Sequence, residues 1–368
     1  MANIRLLILG GYGGTGRSLA RELLRHTLFD LVIAGRSLEK AQEFCNQLRS
    51  DYPEREIRAV QVDASDPGRL RKAFRDIDLV VVTATVPDLM HRIGESALDS
   101  GSDCLDILMR SQVVELLRPL EERIRGEGRR FITQAGFHPG LVAPLIRYAA
   151  THFDRYDRAE VYLAMNAVFE RPESTHEIIR EVGENNSLLM EAGKWRRAGY
   201  RDARKFDFSG TMGTRVCYPL HLIEIEPLAN LGLREIGVYS AGFNWFTDNV
   251  VFSLAYMLQS LRKGLGVAFC GRLMHWGVKR FYQGRPEVEL RLVARGRTAG
   301  GEQQCELSLY SGDPYALTAQ SVISCLNQYM DGTISQPGLH LMGLALEPAR
   351  ALGDLSAMGV TVRSSIPL

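Results

Sequence analysis

The chain has 368 residues, 45% hydrophobic and 24% charged, with a formal net charge of +1; this suits a globular protein of two domains or one large one and leaves no electrostatic footprint for nucleic acid. Its six cysteines (45, 104, 217, 270, 305 and 325) form no CxxC pair and its eight histidines no HxxxH spacing, so reduced thiols are expected and neither a disulfide framework nor a metal centre is. No apolar run reaches the roughly 18 residues of a transmembrane span, no signal sequence opens the chain, and a cytoplasmic location is expected.

The first predicted strand is Leu6-Leu-Ile-Leu9, apolar throughout and so buried on both faces. It runs into Gly11-x-Gly13-x-x-Gly16, followed by a helix over Arg17–Leu24 with Leu19, Ala20, Leu23 and Leu24 on one face. A strand, this glycine spacing and a helix together predict a dinucleotide-binding turn. In this reading Gly11 permits the tight turn, Gly13 lets backbone approach a pyrophosphate, and Gly16 lets helix and strand pack closely. Tyr12, Gly14 and Thr15 complete the loop, and the free N–H groups of the helix start face two phosphates.

A second strand, Leu31–Ala34, ends in Gly35-Arg36-Ser37. An NAD site places an acid about 20 residues beyond the last motif glycine, to accept from the ribose 2′-hydroxyl. Position 36 is arginine, which pairs instead with a 2′-phosphate. Ser37 adds a hydroxyl and Lys40 a second cation, so the expected cofactor is NADP. A helix over Leu38–Leu48 leads to a third strand, Ile57–Val62, ending in Asp63-Ala64-Ser65-Asp66. Asp63, beside Ala64, has two readings: it accepts from the adenine amino group, or it caps the Pro67–Phe74 helix, a task that suits Asp66 better. The fourth strand, Leu79–Ala84, is apolar, and its end from Thr83 and Ala84 to Pro87 should border the cofactor crevice.

Met90–Ser100 reads as a helix stopped by Gly101, Cys104–Ile107 as a fifth strand carrying Asp106, Gln112–Arg125 as a helix, and Phe131–Thr133 as a sixth strand. The turn Gln134-Ala-Gly-Phe-His-Pro-Gly-Leu141 then precedes an apolar helix over Val142–Ala150. Six strands alternating with helices predict a doubly wound sheet.

The texture then changes. Ala159–Asn166 partly alternates, and Val288–Ala294 and Gln304–Tyr310 alternate cleanly, as an antiparallel pair joined by Arg295–Gln303 would. A helix near Ser174 carries His176. Lys194–Lys205, basic with two aromatics, reads as a solvated loop. Val250–Leu261 and Gly264–Trp276, split by Arg262 and Lys263, read as a buried helix pair, with a contact on one membrane face as the alternative. Tyr315–Met330 is helical.

Gly10–Arg17, Ala34–Ser37 and Gly136-Phe-His-Pro-Gly-Leu141, with Gly312–Ala319 and Gly338–Gly343 near the C-terminus, resemble the saccharopine dehydrogenase-like family in its NADP-binding branch. The resemblance implies an α/β fold: a Rossmann doubly wound parallel sheet plus an inserted α+β domain with an antiparallel sheet. The expected limits are 1–140 for the NADP-binding domain, 141–312 for the inserted substrate and oligomerisation domain, and 313–368 for a C-terminal segment returning to the first. A homodimer and a small-molecule substrate are expected. The chemistry implied is NADP-dependent hydride transfer at a carbon–nitrogen bond of an amino-acid adduct. Two positions depart from the family pattern: His138 stands where members usually carry aspartate, and Cys104 where an aromatic precedes Asp106 by two residues.

Hydride transfer needs alignment and a group that moves a proton. His138 is the first candidate, because imidazole titrates near working pH; the alternative is a cap or a bond to a backbone carbonyl. Asp106 is the second, as base or orienter of an amine, with a structural hydrogen bond as its alternative. His176, Tyr162 and Arg215 are candidates from the second domain. Two other functions fit the same cofactor: an enoyl-reductase-like oxidoreductase with an apolar substrate, and a non-catalytic NADP-binding regulatory or membrane-associated protein.

Overall fold

Leu6, Leu7 and Ile8 are fully buried and Leu9 nearly so, each side chain stabilising the fold by roughly 1.5–3 kcal/mol relative to exposure. In the computed structural model, which describes residues 4–169, 171–184, 187–208 and 210–367, they form β1 (Arg5–Leu9) at the centre of a parallel sheet. Residues 1–3 and 368, the ends of the first and last expected segments, lie outside the described residues. After β1 come α1 (Gly14–His26), β2 (Asp30–Gly35), α2 (Leu38–Asp51), β3 (Ile57–Gln61), α3 (Pro67–Phe74), β4 (Leu79–Val82), α4 (Met90–Asp99) and β5 (Asp103–Asp106). The helix expected over 112–125 is two, α5 (Gln112–Leu117) and α6 (Glu121–Gly126), because Pro119 in the 3₁₀ turn between them has no N–H to carry the ladder on. β6 (Arg130–Thr133) ends the N-terminal run.

The chain divides into two units. The first runs to Leu141 and includes Tyr315–Glu347. Its sheet has the order β15-β6-β5-β4-β1-β2-β3, all pairs parallel, where β15 is Gly338–Leu341. The seventh strand, supplied from the C-terminal part, extends the six that the sequence predicts.

The second unit is Val142–Pro314 with the residues from Pro348 on. It contains α7 (Val142–Ala150), β7 (Arg155–Asn166), α8 (His176–Glu184), β8 (Leu188–Glu191), β9 (Lys194–Arg197), β10 (Arg204–Asp207), β11 (Thr214–Pro219), β12 (Glu235–Ala241), α9 (Phe252–Leu261), α10 (Val267–Arg280), β13 (Glu287–Thr298) and β14 (Gly301–Ser311). Its sheet runs β10-β11-β12-β7-β13-β14-β16, with β8 and β9 beside β12. Every pair is antiparallel except β12 with β7.

Three expectations change here. The basic stretch 194–205 holds strand β9 and the start of β10, because Arg196 pairs with both Glu191 and Asp202, and Arg204 with Glu160 and the Tyr239 hydroxyl. The return to the first unit spans only 315–347, through α11 (Pro314–Met330), β15 and α12 (Met342–Ala345). Residues after it form α13 (Pro348–Ala357) and β16 (Thr361–Ser364), which pairs antiparallel with β14 in the second unit. The pair α9 and α10 buries only one face; Leu261, Met257, Phe269 and Trp276 are exposed.

Within the first unit α11 is pinned to the sheet by a buried acid. The Tyr329 hydroxyl donates to Asp103 Oδ2 at 2.6 Å, Arg130 Nε donates to the same oxygen at 3.2 Å, and the Arg130 guanidinium lies 3.8 Å over the Tyr329 ring. Tyr329→Phe removes a hydrogen bond to a charged acceptor and is expected to lower stability by about 1.5–3 kcal/mol. The measurement is the urea unfolding midpoint; an unchanged midpoint would contradict a structural role for this contact.

Candidate functional site

The carboxyl ends of β1, β2, β3, β4, β5 and β6 carry the residues singled out from the sequence, as an open parallel sheet dictates. In the first turn, the left-handed residue is Gly10 (φ 94°), not Gly11. A Cβ there would stand 2.6 Å from the Ala84 amide nitrogen, so the β1 turn and the β4 end touch. A Cβ on Gly16 would lie 2.4 Å from the Gly10 carbonyl oxygen, which makes glycine the only residue that lets α1 start this close to β1. Gly11 is hemmed in by Ile8 and Ile33. A Cβ on Gly13 would approach one atom, Gly10 O at 3.3 Å, so packing is not what calls for glycine there.

Gly13 is the N-cap of α1, and no side chain caps the helix. Gly14, Thr15 and Gly16 form its first turn, with no acid in it. The helix thus presents its positive end uncompensated by its own chain.

Tyr12 joins this turn to the next. Its hydroxyl accepts the Ser37 amide at 2.9 Å, its carbonyl accepts Arg17 Nε at 2.9 Å, and its ring fills the place where a side chain on Gly35 would sit, 2.4 Å from a Cβ. Ser37 is the N-cap of α2, its hydroxyl accepting the Lys40 amide at 3.2 Å. Arg36 and Lys40 are exposed, and the Arg36 carbonyl accepts from Gln61 Nε2 at 2.9 Å. Two cations therefore flank the capped start of α2.

At the end of β3 the two readings of Asp63 separate. Asp66 caps α3, accepting the Gly68 and Arg69 amides, while Asp63 Oδ1 accepts the Ser65 amide and hydroxyl at 2.9 and 2.7 Å. These bonds hold its carboxyl below the usual range. Ala64 is buried. Thr83 and Ala84 lie just past β4, where both amides and the Thr83 hydroxyl bond to the Leu9 carbonyl.

Asp106 and His138 belong to one construction. Asp106 is buried at the end of β5, with Oδ1 accepting the Leu108 amide at 3.0 Å and the Gln134 amide at 3.4 Å, while its carbonyl accepts the Ala135 amide at 2.7 Å. Burial pushes its carboxyl up to about 6 against the pull of the Thr133 hydroxyl and those amides. The loop that it anchors runs through Gln134 (φ 59°) and Gly140 (φ 125°), where a Cβ would strike the Gly136 carbonyl at 2.3 Å. His138 stacks at 4.4 Å from the Phe137 ring, and its burial lowers the imidazole to about 4, so it is neutral at pH 7.

Sequence reasoning missed two neighbours. The Thr133 hydroxyl faces the Asp106 carboxyl, while Gln134 Oε1 and His138 Nδ1 are buried with no hydrogen-bond partner among the described residues. Each such atom costs roughly 1–3 kcal/mol, and two within five consecutive residues are unusual for a loop of a folded protein. Spacing gives no sign of this. Thr133 reads as the end of a strand, and Gln134 as turn polarity.

The candidates from the second unit do not share one setting. Tyr162 is buried, stacked 4.0 Å from Phe206 and 5.2 Å from Tyr239. His176 packs on Gly271 of α10. Arg215 lines a cavity of about 370 Å³ with Asn166, Phe243, Trp245, Phe246 and Phe281.

Comparison with known proteins agrees with this geometry. The model of the family described as Saccharopine dehydrogenase NADP binding domain matches residues 6–131. Among solved structures, apo saccharopine dehydrogenase (L-Glu forming) of Saccharomyces cerevisiae is similar over 99% of this chain and 100% of its own, with a TM-score of 0.72 at 14% identity. A C. glutamicum DAP dehydrogenase in complex with DAP is similar over 98% and 100%, with a TM-score of 0.50 at 15% identity. An engineered D-amino acid dehydrogenase bound to NADP⁺ is similar over 97% and 100%, with a TM-score of 0.50 at 14% identity. These likenesses establish a shared fold. Residues 6–131 are thus matched as an NADP-binding domain of the saccharopine dehydrogenase type, and by that domain the chain is an NADP-dependent oxidoreductase.

Proposed function

We propose that this oxidoreductase transfers hydride between NADP and the carbon–nitrogen bond of an amino-acid adduct. The observation that carries the reading is the pair of partnerless buried polar atoms on Gln134 and His138. Such atoms suit the amide of a nicotinamide and the nitrogen of a substrate amine. Two neighbours in fold, a saccharopine dehydrogenase that forms L-Glu and a D-amino acid dehydrogenase bound to NADP⁺, support it.

The residues fit the cofactor. Gly11, Gly13, Gly14, Thr15 and Gly16 would hold its pyrophosphate at the start of α1, where no side chain competes for the helix end. Arg36 and Lys40 would hold the 2′-phosphate, with the Ser37 hydroxyl spent on its helix. Tyr12 sets the distance between these two groups. Asp63, Ala64, Thr83 and Ala84 would border the adenine and ribose. NADP supplies the hydride acceptor or donor. In the oxidative direction the substrate carbon loses hydrogen with two electrons, its nitrogen loses a proton, and water hydrolyses the resulting C=N bond to a carbonyl and an amine. His138, neutral at pH 7, accepts the hydrogen bond from that nitrogen. Asp106 is a positioning residue, since its Oδ1 is engaged by the loop amides.

The aromatic cavity of the second unit favours a second reading, hydride transfer to an activated C=C bond of an apolar substrate. NADPH oxidation with mixtures of amine and 2-oxo acid supports the first reading; turnover with acyl thioesters alone supports the second. His138→Ala is expected to lower kcat by roughly 10²-fold with NADPH affinity retained, measured by steady-state kinetics beside a binding titration. Full activity in that variant would remove His138 from the reaction.

Arg36→Ala is expected to weaken NADPH binding by roughly 10- to 100-fold while leaving NADH affinity unchanged, because only NADPH offers a 2′-phosphate to the guanidinium. Equal loss for both nucleotides in calorimetric titrations would contradict the assignment.

Asp106 gives a pH test. Folded Asp106 keeps its proton up to about 6, whereas in the unfolded chain it ionises near ~4. Stability from this group is therefore lost as pH rises from about 4 through 6. Asp106→Asn keeps an acceptor for the two amides and cannot ionise. Relative to the parent it should gain about 3 kcal/mol between pH 4 and pH 7, read from urea unfolding at both values. A pH-independent difference would overturn the buried-acid assignment.

A further inference from the structure

We propose that the α9–α10 face of the second unit is a docking surface for an anionic membrane. On α9, Ala255 and Gln259 are buried, and Tyr256, Met257 and Leu261 point outward, Leu261 at 76% exposure. On α10, Val267, Cys270, Met274 and Val278 are buried, whereas Phe269 and Trp276, two turns apart, are 53% and 52% exposed. The burial pattern is thus amphipathic, yet its outward side also carries large apolar side chains, as interaction surfaces do. Trp276 is held rigid by edge contacts to Phe246 at 5.4 Å and Phe281 at 6.0 Å. Trp245, 73% exposed, joins Phe246 and Phe281 on the wall of the second unit's cavity.

Charge identifies the occupant. Residues 249–281 contain Arg262, Lys263, Arg272, Lys279 and Arg280 and no acidic residue. All five are exposed, and Arg280 lies 5.8 Å from the Phe281 ring, its stem along apolar surface. In a two-fold contact the same patch would meet itself and set cation against cation. A bilayer bearing anionic headgroups satisfies both halves: indole and aliphatic groups enter the interfacial layer, and the cations meet lipid phosphates. Among the described residues no helix is long and apolar enough to cross a membrane, so the pair would lie on the surface.

The test is co-sedimentation of the full chain with vesicles of phosphatidylcholine alone and with vesicles of about one-third phosphatidylserine. Tryptophan emission is followed in parallel, since Trp245 and Trp276 are two of the three tryptophans. Binding to the anionic vesicles with a blue shift is expected. Phe269→Glu/Trp276→Glu and Arg272→Glu/Lys279→Glu should each reduce it by roughly 10-fold or more, with NADPH affinity unchanged as evidence of intact folding. Absence of vesicle binding by the parent protein overturns the proposal, as does equal binding to both compositions that survives the substitutions. So does light scattering of a dimer that Phe269→Glu/Trp276→Glu converts to monomer, which would give the face to a second copy. None of these results bears on the oxidoreductase reading, because NADPH binding is measured separately.

Discussion

The first unit depends on how near a helix can come to the strand it follows. The Gly10 carbonyl lies where any side chain at position 16 would have to be, so α1 begins directly at the end of β1 and its dipole is aimed across the carboxyl edge of the sheet. The same turn places Gly10 against Ala84, which ties the ends of β1 and β4 together. Tyr12 extends the constraint to β2, its ring taking the space over Gly35 and its hydroxyl holding the Ser37 amide. The loops after β1, β2 and β4 are therefore fixed by contacts too tight to slide. Pre-formed geometry of this kind lowers the ordering cost of binding an extended nucleotide.

The strands of this unit were legible because burial on both faces leaves an unbroken apolar run, and Leu6–Leu9 and Leu79–Val82 have no other reading. The glycine spacing was legible for the same reason, since steric exclusion leaves one residue type. Its internal division of labour was not. The turn is made at Gly10, outside the spacing that identifies the motif, because what matters is the carbonyl that must clear Gly16. Ser37 and Asp63 show a second limit: short polar side chains near backbone amides bond locally first, and sequence cannot say whether an oxygen is left for a ligand. Arg196 shows a third. A run of cations reads as solvated until its partners are known, and Glu191 and Asp202 become partners only when β8, β9 and the following turn are in place. The tail after Pro348 follows the second sheet because β14 offers an edge to β16, a long-range pairing that four residues cannot announce.

Asp106 and His138 illustrate how one departure from a family pattern can be absorbed. The acid that remains is buried and spends one oxygen on two amides, fixing a loop that otherwise has little regular structure. With that loop fixed, the residue at 138 needs no charge to be held. A neutral imidazole enclosed beside Phe137 is a milder group than a carboxylate: it can accept or donate one hydrogen bond without bringing a charge into the site. Thr133 and Gln134 extend the same polarity with neutral groups. A loop lined in this way presents hydrogen-bonding groups without a fixed charge.

The second unit separates two demands that one surface seldom meets. Its nine-stranded sheet buries alternate side chains and supplies rigidity, with the Tyr162 ring stacked on both Phe206 and Tyr239. Its helix pair uses most of its apolar residues for packing and leaves Tyr256, Met257, Leu261, Phe269 and Trp276 outside. Such exposure costs solubility, and the cost is mitigated here by five cations placed among the apolar groups. If packing alone had shaped the pair, polar residues at 257, 261 and 269 would serve it as well, since these side chains are more than half exposed. Their apolar character therefore answers to something outside the fold, and the absence of any acid between 249 and 281 gives the sign of the charge that it meets.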